Sequence, residues 1–124
     1  MSETLKGVVI SHAGLAAAMV QAVEQISGIS GVLFPVSNTG CDPTLIEQRL
    51  AEVIGDDPAV LFVDLPSGSC FFAAMRANRA QSDLPVVTGV NLPMLVDFVF
   101  HRGVSAEEAA RRAVTKGGDA IRSR

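Results

Sequence analysis

The sequence has no tryptophan, no tyrosine and only two cysteines in 124 residues. With no indole or phenol to stack on an isoalloxazine, a flavin-binding module is disfavoured. Cys41 and Cys70 are isolated, so a reduced, cytosolic setting fits them better than a disulfide framework, and free, structurally incidental thiols are expected. Met1-Ser-Glu-Thr-Leu-Lys-Gly carries an acid ahead of the short apolar run Val8 to Ile10, which is neither the basic start nor the long core of an export signal. No stretch approaches the roughly 20 apolar residues needed to cross a bilayer, so no direct membrane insertion is expected. Neither sign of charge is concentrated: 13 acidic and 10 basic residues leave a net −3. That balance lacks the basic footprint of a nucleic-acid or anionic-membrane binder. There is no Walker loop, no dinucleotide fingerprint and no Cys/His ligand cluster, so no nucleotide, cofactor or metal is expected.

What is present is ample apolar material, 48% of residues against 19% charged, enough for one compact domain spanning residues 1–124. Lys6 to Ser11, Gly31 to Val36, Ala59 to Asp64 and Pro85 to Val90 are rich in Val, Ile, Leu and Phe with little polar alternation, as strands covered on both faces are. Between them lie segments of helical periodicity. Leu15 to Ile26 repeats Leu15, Met19, Ala22, Val23 and Ile26 and stops at Gly28. Asp42-Pro43 reads as a cap with proline in the first turn of a helix running to Gly55. Cys70 to Arg79 forms a third helix that ends before Ser82, Asn91-Leu92-Pro93 opens a fourth over Met94 to Phe100, and Ser105 with Glu108 signs the start of a fifth, Ala106 to Arg122. This alternation predicts an α/β fold with right-handed crossovers, a parallel sheet of order 2-1-3-4 and helices on both faces.

In such a sheet the ligand crevice lies beyond the carboxyl ends of the strands, where the strand order reverses. The candidate residues are therefore Ser11-His12-Ala13-Gly14, Ser37-Asn38-Thr39-Gly40, Asp64 to Ser69, and Gly89-Val90-Asn91. With strands one and three adjacent, His12 and Asp64 face each other. A carboxylate on one ring nitrogen fixes the imidazole tautomer and leaves the other lone pair free to act as a nucleophile. The Gly68-Ser69 turn at a helix N-terminus offers backbone N–H groups and a hydroxyl to phosphate oxygens. By position alone His12 also fits a turn or cap residue and Asp64 a helix cap. His101, with Arg102 and Gly103 at a helix end, suits the helix dipole, and Cys70 at a helix head suits burial.

These residues resemble the mannose-family IIA domain of the bacterial phosphoenolpyruvate-dependent sugar phosphotransferase system over nearly the whole chain. Gly7-Val-Val-Ile-Ser-His12-Ala-Gly-Leu-Ala is similar to that family's first strand and phosphorylated histidine. Val63-Asp64, the Gly68-Ser69 turn and Phe71-Phe72-Ala73-Ala74 look like its strand-three loop, and Gly89-Val90-Asn91-Leu92-Pro93-Met94-Leu95 like a further signature. The resemblance implies a flavodoxin-like three-layer sandwich and a cytoplasmic homodimer. It implies that His12 takes a phosphoryl group from the carrier HPr and passes it to a IIB component during sugar uptake, with Asp64 pairing with His12 and Ser69 contacting phosphate. No IIB segment lies in this chain, so a separate polypeptide is expected to supply one. Ala13 stands where the family commonly has glycine, and Leu65-Pro66-Ser67 where it has a run such as Thr-Trp-Gly. Two neighbouring readings are the phosphoryl-donor subunit of dihydroxyacetone kinase, whose appended HPr-like domain is absent here, and a phosphorylation-dependent regulatory module.

Overall fold

The computed structural model describes residues 5–81 and 83–124. Met1 to Thr4, read above for export, and Ser82, read as the stop of the third helix, lie outside the described residues. In chain order the elements are β1 (Lys6–Ser11), α1 (Leu15–Ser27), β2 (Leu33–Ser37), α2 (Pro43–Ile54), β3 (Ala59–Val63), α3 (Gly68–Ala80), β4 (Val86–Thr88), α4 (Leu92–Phe100) and α5 (Ala106–Asp119). The strands form one parallel sheet in the order β2-β1-β3-β4. The α/β class and the strand order expected from the sequence are both observed.

The apolar runs become central strands because both of their faces are covered. The pleat sends Val9, Val60 and Phe62 to one side, where they pack with Ala16, Val20, Val23, Leu95, Phe98 and Ala113 from α1, α4 and α5. It sends Val8, Ile10, Leu61 and Val63 to the other, against Ile46, Leu50, Cys70 and Ala74 from α2 and α3. Phe62 and Phe98 meet edge to face, with ring centroids 5.4 Å apart. Gly7 lets these layers close: a Cβ there would sit 2.7 Å from Leu33 Cδ2 and 2.9 Å from Phe98 Cε2.

Several boundaries shift for identifiable reasons. β2 begins at Leu33, two residues past the expected start, because Leu33 pairs with Gly7 near the beginning of β1. It is an edge strand, which is why it tolerates Pro35. β3 ends at Val63 and leaves Asp64 in the following loop. β4 shrinks to Val86–Thr88, since only Leu61 to Val63 of β3 remain to pair with it. α1 buries Ala16, Val20 and Val23, leaving Leu15 and Ile26 exposed at the margins of its apolar stripe. α5 stops at Asp119, just after Gly117-Gly118, two residues of poor helix propensity.

The caps follow the sequence closely. Asp42 accepts from Leu45 N at 2.8 Å, Asn91 from Met94 N at 3.1 Å and Ser105 from Glu108 N at 3.1 Å. Only half of the expected capping box forms at Ser105, because the Glu108 carboxylate bonds Arg111 instead. No described helix is long and apolar enough to cross a membrane.

Candidate active site

His12 is the first residue after β1 and Asp64 the first after β3. These strands are neighbours in parallel register, Ile10 opposite Val63, so the two side chains leave the same end of the sheet side by side. The backbone N–H of His12 donates to Asp64 Oδ2 at 2.9 Å, and His12 Nδ1 lies 2.8 Å from the same oxygen. Asp64 does not cap α3; its carboxylate is turned to His12.

Burial pushes the Asp64 carboxyl up, but the hydrogen bonds from the His12 backbone and ring, the His12 charge and the Leu65 N–H together leave it below its ordinary value. An ionised carboxylate only accepts, so Nδ1–H donates in this contact, and in the neutral ring Nε2 keeps its lone pair. The Asp64 side chain is 9% exposed and the His12 ring 41%, which places an anchored carboxylate behind an accessible ring.

On the far side of the ring is Gly68, whose Cβ position lies 3.8 Å from His12 Nε2. Gly68 is the first residue of α3, with φ at +89°, a conformation that side-chain-bearing residues resist. The sequence places the helix start at Cys70; the earlier start brings the open end of a 13-residue helix next to Nε2. Ser67, its N-cap, makes no side-chain capping bond. The first-turn N–H groups have no partner within the helix, and they carry the positive end of its dipole. Ser69 follows in the same turn, half-buried.

The loop that carries His12 is held from two directions. Ser11 Oγ, fully buried, accepts from Ala16 N at 2.6 Å and so sets the first turn of α1. Asn38 Oδ1 accepts from Ala13 N at 3.1 Å, and Ser37 Oγ donates to Ala13 O at 2.7 Å. Ala13 has φ at +52°, the left-handed region that residues with a Cβ rarely adopt.

Other candidates are displaced from this cluster. Asn91 caps α4, and its Nδ2 donates to Gly117 O at 3.2 Å. His101 closes the same helix, Nδ1 being 2.9 Å from Asp97 O and 3.2 Å from Asp97 Oδ1. Cys70 is buried, as expected for its place near a helix head, and it also lies beside the His12–Asp64 pair. One ligand atom from each of His12, Asp64 and Cys70 lies within 4.8 Å of the others. A search by spacing passes over the set because it joins two separate loops and a helix. Burial pushes the Cys70 thiol up, the Asp64 charge adds to that, and a hydrogen bond from Ser69 opposes it.

Residues 6–115 match the family model described as PTS system fructose IIA component, of the mannose type. The chain belongs to this family. Among curated proteins, the sorbose-specific EIIA component of the phosphotransferase system from Klebsiella pneumoniae is 28% identical over 92 residues, covering 72% of this chain and 68% of that one. The phosphotransferase component EIIA from Streptococcus agalactiae superposes with a TM-score of 0.86 at 19% identity, covering 96% of each chain. The mannose/sorbose-specific IIA subunit from Enterococcus faecalis also gives 0.86, at 21% identity over 98% of this chain and 95% of that one. The flavodoxin-like sandwich expected from the resemblance is therefore the fold of these mannose-type IIA proteins, and the chain is a IIA phosphotransfer component.

Proposed function

We propose that His12 accepts a phosphoryl group from phospho-HPr and passes it to a IIB component, in the cytoplasm and as a homodimer of 1–124 domains. The observation that supports this most is the His12 ring itself: Nδ1 tied to Asp64 Oδ2 at 2.8 Å, Nε2 beside Gly68 at the head of α3.

In the proposed step the Nε2 lone pair attacks the phosphorus carried by HPr. A nitrogen–phosphorus bond to His12 forms as the donor's bond breaks, and the donor leaves as its neutral imidazole. The ring of His12 becomes cationic, and Asp64, hydrogen-bonded to Nδ1–H, stabilises that charge and prevents the ring from turning. The α3 N–H groups and the Ser69 hydroxyl receive the phosphoryl oxygens. Transfer to a IIB component reverses these bond changes, returning His12 to its starting tautomer.

Leu15 at the head of α1 and Leu65 in the loop after β3 are 46% and 50% exposed, and Phe72 of α3 is 60% exposed. Exposed apolar residues in these positions suit brief contact with a protein donor and acceptor. The test is labelling with HPr, its kinase and phosphoenolpyruvate. The wild type and His101→Ala should take up an acid-labile, base-stable phosphate, and His12→Ala should take up none. Labelling lost in His101→Ala but kept in His12→Ala would overturn the assignment.

A further inference from the structure

Cys70 occupies the third position of α3 and is fully buried. Its sulfur, one His12 ring nitrogen and an Asp64 carboxylate oxygen all lie within 4.8 Å of one another. A second, independent observation concerns the same carboxylate. Its side chain is more than nine-tenths buried, 9% exposed, and Oδ1 has no partner of full hydrogen-bond geometry among the described residues, although the Leu65 N–H lies near enough to help hold the carboxyl ionised. A buried carboxylate oxygen without a partner is costly, and neither phosphoryl transfer nor helix capping uses this one.

The donor set is specific in its chemistry. A thiol, an imidazole and a carboxylate together suit a borderline-soft divalent ion held tetrahedrally, with bonds of about 2.0–2.3 Å. Magnesium and calcium are held by oxygen donors and have no use for the sulfur. We propose that His12, Asp64 and Cys70 form a three-ligand site for a thiophilic divalent cation of the zinc class, its fourth position open to water.

The ligand atoms need to draw together by roughly 1 Å from their present limits to reach tetrahedral separations. The half-exposed His12 ring gives the ion its way in. The Cys70 thiol begins protonated and Nδ1 of His12 carries the ring proton; on binding, the S–H bond breaks, a metal–sulfur bond forms and the thiol proton leaves to solvent, while the Nδ1 proton passes by way of solvent to Nε2 so that the Nδ1 lone pair can bind the ion, with no change of oxidation state. An ion held by His12 and Asp64 engages the pair that phosphoryl transfer uses, so metal and phosphoryl group exclude each other. That exclusion rests on the phosphoryl-acceptor reading; binding of the ion does not.

The experiment titrates the reduced, unphosphorylated chain with cobalt(II) chloride, then displaces cobalt with zinc chloride. The expected result is one ion per chain, with a tetrahedral cobalt spectrum and a thiolate-to-cobalt charge-transfer band that zinc abolishes. Cys70→Ala and His12→Ala should each weaken zinc binding at least about tenfold. Cys41→Ala and His101→Ala should leave it unchanged, with melting curves reporting the fold of every variant. If Cys70→Ala fails to fold, the wild-type band and its loss in Asp64→Asn decide the matter. No saturable binding, a cobalt spectrum without the thiolate band, or binding that depends on His101 or Cys41 would each overturn the site. A second arm adds zinc to the phospho-HPr reaction, where labelling should fall and return on chelation. Zinc binding in a chain that phospho-HPr never labels leaves the metal site standing and removes the phosphoryl reading.

Discussion

Asp64 receives two hydrogen bonds from a single residue, one from the His12 backbone and one from its ring, on the same oxygen. Asparagine at this position keeps the size but removes the charge, and its amide can present a donor where the ring needs an acceptor. Asp64→Asn should slow transfer from phospho-HPr by on the order of a hundredfold or more, the scale of other orienting carboxylates, while the fold persists. Rates measured beside thermal melts check this; a folded variant with an unchanged rate contradicts the orienting role. Ala13 is the other residue with a distinct cost, since its left-handed backbone is strained for any residue with a Cβ. Ala13→Gly should raise stability by up to about 1 kcal/mol, the relief of strain being partly offset by greater freedom of the unfolded chain. A lower denaturation midpoint in Ala13→Gly would show that the loop gains more from the methyl than it loses to strain.

At the scale of elements, the start of α3 decides what lies beside Nε2. Gly68→Ala meets His12 only at van der Waals distance, 3.8 Å from Nε2, so its chief penalty is the +89° φ. We expect a loss of about 1–2 kcal/mol, together with slower transfer as the head of the helix shifts. Chemical denaturation and labelling rates read the two effects separately. Gly7→Ala should be more disruptive, by roughly 1–3 kcal/mol, because three side chains of the closed core stand in its way. A Gly7→Ala protein as stable as wild type would mean that the layers are less tightly closed than the contacts indicate. These elements also mark what the sequence reveals. The long apolar runs identify β1 and β3, and their ends put His12 and Asp64 at the crevice before any coordinates are known. The start of α3 is harder to see, because Ser67-Gly68-Ser69 reads as a turn whether or not a helix has begun. The short extent of β4 depends on where β3 stops, which is a property of the pair rather than of either segment.

At the scale of the whole molecule, the strand order brings residues 52 apart in sequence into contact and makes one site from loops that share no local motif. The fold class was legible because central parallel strands are apolar on both faces, whichever helices cover them. The approach of Cys70 to His12 and Asp64 was not, since it depends on how α3 settles against the second face of the sheet. Because His12 and Asp64 need no cofactor for the proposed transfer, the reaction between purified phospho-HPr and this chain should proceed unchanged in EDTA. The most direct measurement is nitrogen-15 NMR of the histidine-labelled chain after phosphorylation. The account predicts a nitrogen–phosphorus bond at Nε2 of His12, with Nδ1 still protonated and hydrogen-bonded. Phosphate on Nδ1 of His12, or on His101, would contradict it.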